Sequence, residues 1–391
     1  MSLFPQRFWR LARVLMLVLA ATVLAVAIAW LVLRGVGEQH RATAETRFQE
    51  LMREHGDGES VPRQDGRIID GGAVAFTVDE REQVTRWLIT DLADWTDDDR
   101  TRIAEVLARR HDILVELRAL DRLATPVWRG LAGGRLYADT SPLVVVLDVS
   151  RLLALDARLA ASDGRLDDTV DDLSALGVIT SAIYAHRGLS PALVGTAVDA
   201  LRLESLRQLA GSSDIDDAIL AALPTVLPDG PPDRAAIMAG EASQTWGAIQ
   251  ASSTLAGWRA DLEVSAQLDF WSGVLDASTL PHDDMLEVFN RDVAPLGDRP
   301  DAVIAGMLIP NIREALRKLS RVHDAQVLAE VAFAVRLGRL DEIEVPEGVR
   351  IEPVADGRQR VHWPSIVERI EARTQPTVPR ASLFDWTLPG S

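Results

Sequence analysis

The feature that most narrows the fold is a run of 20 residues, Val14 to Leu33 (VLMLVLAATVLAVAIAWLVL), without a single charged side chain. At about 1.5 Å of rise per residue, a helix of this length reaches about 30 Å, the thickness of a bilayer's hydrocarbon core. A buried core helix of that length would carry a polar stripe, and only Thr22 interrupts this one. A cleavable signal peptide has a shorter apolar centre, and Trp30-Leu31-Val32-Leu33 continue past the candidate cleavage site at Ala27-Ile28-Ala29. Trp9 and Trp30 stand near the two ends, and Arg10, Arg13 and Arg34 frame the run, as headgroup-level anchors do. The expectation is a basic tail over 1–13 and a transmembrane helix over 14–34, with the lipid bilayer as a partner. Positive charge stays inside, so this reading places the chain in the inner membrane as a single-pass protein, N-terminus inside and body extracytoplasmic.

Charge separates this segment from the rest. Residues 1–34 hold four arginines and no acid, while the whole chain carries −17, so 37 basic face 58 acidic side chains beyond them. A body that acidic repels phosphate backbones, and nucleic acid is not an expected partner. The absence of cysteine excludes disulfides, thiolate metal sites and a cysteine nucleophile. All basic residues but Lys318 are arginines, a bias of the kind a GC-rich genome imposes.

The body reads as helical. Ten Trp, eight Phe and two Tyr are a thin supply for a large β-sandwich. Val84, Trp87, Leu88, Leu92 and Trp95 recur at helical spacing, and Thr96 ahead of Asp97-Asp98-Asp99 reads as a helix cap. The expected layout is a stalk and Gly-rich linker over 35–75, a first helical region over 76–223, a Pro-rich turn over 224–232 and a second helical region over 233–344. Residues 345–391 read as a β-hairpin around Asp356-Gly357, a short helix and a tail. The tail's Leu383, Phe384, Trp386 and Leu388 are too apolar for a free end and predict docking on the body, with Trp386 as anchor. The fold class expected is mainly α: a transmembrane helix, an irregular α-hairpin body and a small C-terminal β-hairpin.

The motif GRLD followed by an acid occurs twice, at Gly164–Asp168 and Gly338–Glu342. It resembles the helix–turn–helix junction of tetratricopeptide-type repeats, although no 34-residue period runs through the chain. The anchor, the run IPNIREALRKLSRVHDAQVLAEVAFAVRLGRLDE (309–342) and the closing SLFDWTLP (382–389) resemble single-pass helical proteins of planctomycete-type bacteria. That resemblance implies a long helix leading into a short β element, and no activity.

A search for chemistry returns little. The seven histidines (40, 55, 111, 186, 282, 323 and 362) form no HxxxH or HExxH pair, and no Walker A loop, GxSxG or SxxK motif occurs. Neither a metal nor a cofactor is expected. Lys318 lies among Arg313, Arg317 and Arg321 and reads as part of a basic patch. The acids Asp167, Asp168, Asp171 and Asp172 fall in i,i+4 pairs and read as a solvated face, with a carboxylate pair of a hydrolase as the alternative. Trp246, Trp258 and Trp271 read as core. The function expected is a membrane-anchored extracytoplasmic interaction or scaffold protein with a protein partner; a membrane-tethered, carboxylate-dependent envelope hydrolase is the alternative.

Overall fold

A computed structural model of the chain describes residue 39 and residues 42–55, 68–69, 76–119, 127–128, 141–228, 230, 232–251, 258–299, 302–354, 357–371 and 381–389. It is mainly helical. In chain order the helices are α1 (42–54), α2 (Val78–Ile89), α3 (Asp97–Ala108), α4 (His111–Arg118), α5 (Ser141–Ser162), α6 (Leu166–Tyr184) and α7 (Leu189–Gly211). They continue as α8 (Asp217–Ala222), α9 (Arg234–Ala251), α10 (Trp258–Ser278), α11 (His282–Val288), α12 (Val303–Arg336) and α13 (Pro364–Glu371). Strands β1 (Ile68–Ile69) and β2 (Val127–Trp128) pair in parallel. Strands β3 (Arg350–Pro353), β4 (Gln359–His362) and β5 (Asp385–Leu388) form an antiparallel sheet in that order.

The single-pass, transmembrane and inner-membrane assignments need correction. Among the described residues no helix is long and apolar enough to cross a membrane. The physical reason is charge: α5 carries Asp148, Arg151, Asp156 and Arg158, α7 carries Asp199, Arg202, Glu204 and Arg207, and α12 carries charges from Arg313 to Arg336. Val14–Leu33, with Trp9, Arg10, Arg13, Trp30 and Arg34, lies outside the described residues.

Two apolar cores organise the body. The first gathers α2 to α8, the C-terminal half of α12, α13 and the three-stranded sheet; the second gathers α1, α9, α10, α11 and the N-terminal half of α12. Both α7 and α12 contribute to both cores. Leu189 and Ala192 of α7 belong to the second and Val198 to Ala210 to the first, while α12 changes over between Leu319 and Val322. The segment read as a stalk packs into the second core through Ala44, Phe48, Leu51 and Met52, one face of α1. Phe48 stacks on Trp246 with ring centroids 4.2 Å apart, and the Trp246 indole N–H donates to Glu45 at 2.7 Å.

Local rules explain many boundaries. Thr77 and Thr96 each close a capping box, with Glu80 and Asp99 respectively. Asp99 also accepts from the Trp87 indole at 3.1 Å. The two GRLD motifs share one cap: Gly164 and Gly338 are left-handed, at φ 74° and 66°, and Arg165 N–H donates to Ala160 C=O as Arg339 N–H does to Ala334 C=O. The first leads into α6, the second into a single 3₁₀ turn and the sheet, so the echo is a shared helix stop and not a repeat.

The C-terminal hairpin gains a third strand. Val361 pairs with both Ile351 and Trp386 across the sheet, which carries Trp386 onto the apolar face. Leu383, Phe384, Trp386 and Leu388 are all buried in the first core.

Candidate functional site

A groove runs along α2, walled by α5 and α7. Two adjoining cavities of about 460 and 210 Å³ share Thr85, Ile89 and Arg151. The larger is lined by Val78, Arg81, Glu82 and Arg86, the smaller by Leu88, Leu147, Ala197, Ala200, Leu201, Glu204 and Leu383. Helical spacing makes this face: 78, 82, 85 and 89 lie along one side of α2, while Val84, Trp87 and Leu88 turn into the core. The result leaves Val78 67% and Ile89 51% exposed, with Val144 exposed three residues before Leu147 on α5.

The polar end is built on Asp148, which is fully buried. It accepts from Arg81 through Nε at 3.0 Å and Nη2 at 2.7 Å, from Arg151 Nη1 at 3.0 Å and from the Phe76 backbone N–H at 3.3 Å. The Asp148 hydrogen bond holds the Arg81 guanidinium above its ordinary pKa. At the other end, burial raises the Glu204 carboxyl, but the hydrogen bond and charge of Arg207 outweigh it and hold the group below its ordinary value. Glu204 also accepts from Gln208 at 3.2 Å and from Ser382 at 3.2 Å, which ties the C-terminal segment to α7. Behind it the fully buried Arg158 donates to Leu88 C=O, Gln208 and Ser205 at 2.9 to 3.1 Å.

The carboxylates expected on a solvated face divide in two. Asp167 and Asp171 are exposed, whereas Asp168 is half-buried and Asp172 fully buried. Arg118 of α4 clasps the inner pair together with Asp156 of α5, reaching Asp172 at 2.7 and 3.1 Å, Asp168 at 2.7 Å and Asp156 at 2.6 Å. Burial pushes the Asp172 carboxyl up to about 8, against the Arg118 hydrogen bond and with the Asp156 charge. Asp156 is raised for the same first reason, burial, against the Arg118 charge. Three acids around one arginine tie α4, α5 and α6 together, and none of them lines either cavity. The hydrolase alternative gains no support from this arrangement.

Other sequence candidates are scattered. His186 and His362 are buried, His55 lies 3.4 Å from Asp276, and His111 opens α4 on the surface. Arg317 pairs with Glu314, and Arg313 reaches Asn290 at 3.5 Å. Trp246 and Trp271 are buried in the second core. Among the described residues no group of three or more potential ligands could hold a metal ion. The groove itself escaped sequence reading, because α2 supplies only one wall; the signal available was the apolar pair Val78 and Ile89 interleaved with Arg81 and Arg86.

No family model matches the chain, and neither a curated protein nor a solved structure does.

Proposed function

We propose that the chain is a helical interaction protein that docks a segment of a partner protein in the groove between α2, α5 and α7. The observation that carries this reading is the exposure of Val78 and Ile89 beside an apolar floor. Large aliphatic groups left in water beside a preformed cavity are the usual mark of a surface that a partner covers. The walls are rigid, since α5 and α7 belong to the first core along most of their length. The test places a photo-cross-linking amino acid at Thr85 in cells and, as a control, at the exposed Glu105 of α3. Discrete adducts at 85 alone are expected, and the partner they identify should bind the purified protein and lose at least tenfold in affinity against Ile89→Asp. Adducts equally abundant at both positions would overturn the proposal.

A further inference from the structure

The occupant's chemistry can be read from the groove, granted that the groove is a docking surface. One buried carboxylate, Asp148, carries two guanidiniums, so a positive charge remains at the head of the groove. Arg81 spends Nε and Nη2 on Asp148 and on Phe76 C=O, and Arg151 spends Nη1. That leaves Nη1 of Arg81 and Nε and Nη2 of Arg151 without a partner among the described residues. Arg86, exposed on the same cavity, makes no ion pair among them either. Glu82 is the one acid lining that cavity, so guanidiniums outnumber carboxylates there even with Asp148 included. On a chain of net charge −17 such a cationic face is local and runs against the overall field. Asp148 also fixes the geometry: a guanidinium held from below by a buried carboxylate is preorganised to receive a second carboxylate with little loss of side-chain freedom.

The apolar end sets the rest. At about 210 Å³ the smaller cavity is below the usual size of a small-molecule site, about 300–1,000 Å³, and suits one or two aliphatic side chains. Val78 and Ile89 are the first and last residues of α2, so the groove is about 17 Å long, or about three helical turns. Its walls are chiefly helices whose backbone hydrogen bonds are internal, and among the described residues no strand edge borders it, which favours a helix lying in the groove over β-strand addition.

We infer that the groove accepts an acidic amphipathic helix of about three turns from a partner protein, its carboxylates on Arg81, Arg86 and Arg151 and its aliphatic stripe on Leu88, Ile89 and Leu201. Charge complementarity selects an acidic occupant for the cationic head of the groove.

The test selects twelve-residue peptides from a random phage-displayed library on the full chain, with Ile89→Asp and Arg86→Glu as counter-screens. Both substitutions fall on exposed side chains of α2, and helical circular dichroism checks that each variant folds. The expected peptides are rich in Asp, Glu and Leu, lose at least tenfold in affinity against either variant, and lose as much when their acids become amides. Peptides that need Ile89 but tolerate Arg86→Glu and amide replacement would overturn the acidic partner and leave the docking surface standing. A selection in which no peptide depends on Ile89 would overturn both. Micromolar self-association of the full chain that Ile89→Asp abolishes, measured by sedimentation, would assign the groove to a second copy and overturn the inference.

Discussion

Phe333 of α12 and Trp386 of β5 meet edge to face, with ring centroids 5.9 Å apart and ring planes at 78°. The contact fastens the last strand to the longest helix, and the Trp386 indole N–H is satisfied at the same time by Leu383 C=O at 3.0 Å. Trp386→Ala opens a cavity in a packed core and should cost about 3–5 kcal/mol. Urea unfolding checks this, and a midpoint within error of the parent would refute the tail's role in the core.

Arg118→Leu leaves Asp156, Asp168 and Asp172 facing one another without their central cation. Breaking a buried pair from one side costs about 3–5 kcal/mol. Asp172→Asn should cost far less, because burial already favours the neutral form of the Asp172 carboxyl. Equal losses for the two variants in chemical denaturation would contradict the clasp.

Asp199 gives the fold a pH dependence. It is fully enclosed, accepts from the Tyr184 hydroxyl at 3.0 Å, and burial pushes its carboxyl up from 3.8 to about 6 against the Arg202 charge. The folded state therefore keeps a proton that the unfolded chain releases. Its stabilising contribution is complete below the unfolded pKa and is lost as pH rises through about 6. Asp199→Asn should flatten the decline between pH 4 and pH 7 by up to about 3 kcal/mol. Parallel stability curves for the two proteins would sink this assignment. Asp172 acts in the same direction, so part of the slope remains in the variant.

Glu263 of α10 caps a helix from a distance. Buried itself, it accepts from the backbone N–H groups of Val303 at 3.0 Å and Ile304 at 2.8 Å, where the N-cap residue Ala302 offers no side-chain acceptor. Glu241 of α9 serves Leu189 at the start of α7 in the same way, at 2.8 Å. Glu263→Ala orphans two partly buried donors and should destabilise by about 1–3 kcal/mol, whereas Glu263→Gln keeps an acceptor and should lose less than half as much. Hydrogen exchange at Val303 and Ile304 reads the effect directly.

Local chemistry was legible in the sequence where its partners lie within a few residues. Thr96 three residues before Asp99, and the two GRLD glycines, state their caps in consecutive letters. Helical spacing likewise exposed the buried face of α2. The inner carboxylates were not legible, because Asp168 and Asp172 repeat the pattern of Asp167 and Asp171 and differ only in meeting Arg118, 50 and 54 residues away. Glu263 and Glu241 carry no local signal of their capping for the same reason: the helix termini they serve lie 40 and 52 residues away along the chain. β5 escaped because DWTL alternates too briefly, and its pairing with β4 is set by Arg360 and Asp385, joined at 2.7 and 2.6 Å. Residues 42–54 read as a stalk because the ring that receives Phe48 belongs to Trp246.

The shared helices α7 and α12 have a consequence for how the body comes apart. Each crosses from one core to the other, so melting either core strips one face from a helix that the other still needs. Heating should give one calorimetric transition, not two. Cutting the chain within the Pro-rich turn at 224–232 separates α7 from α12, and neither piece then holds a whole core. Each piece alone should be unstructured, and the two mixed should reassemble: a divisible sequence with an indivisible interior.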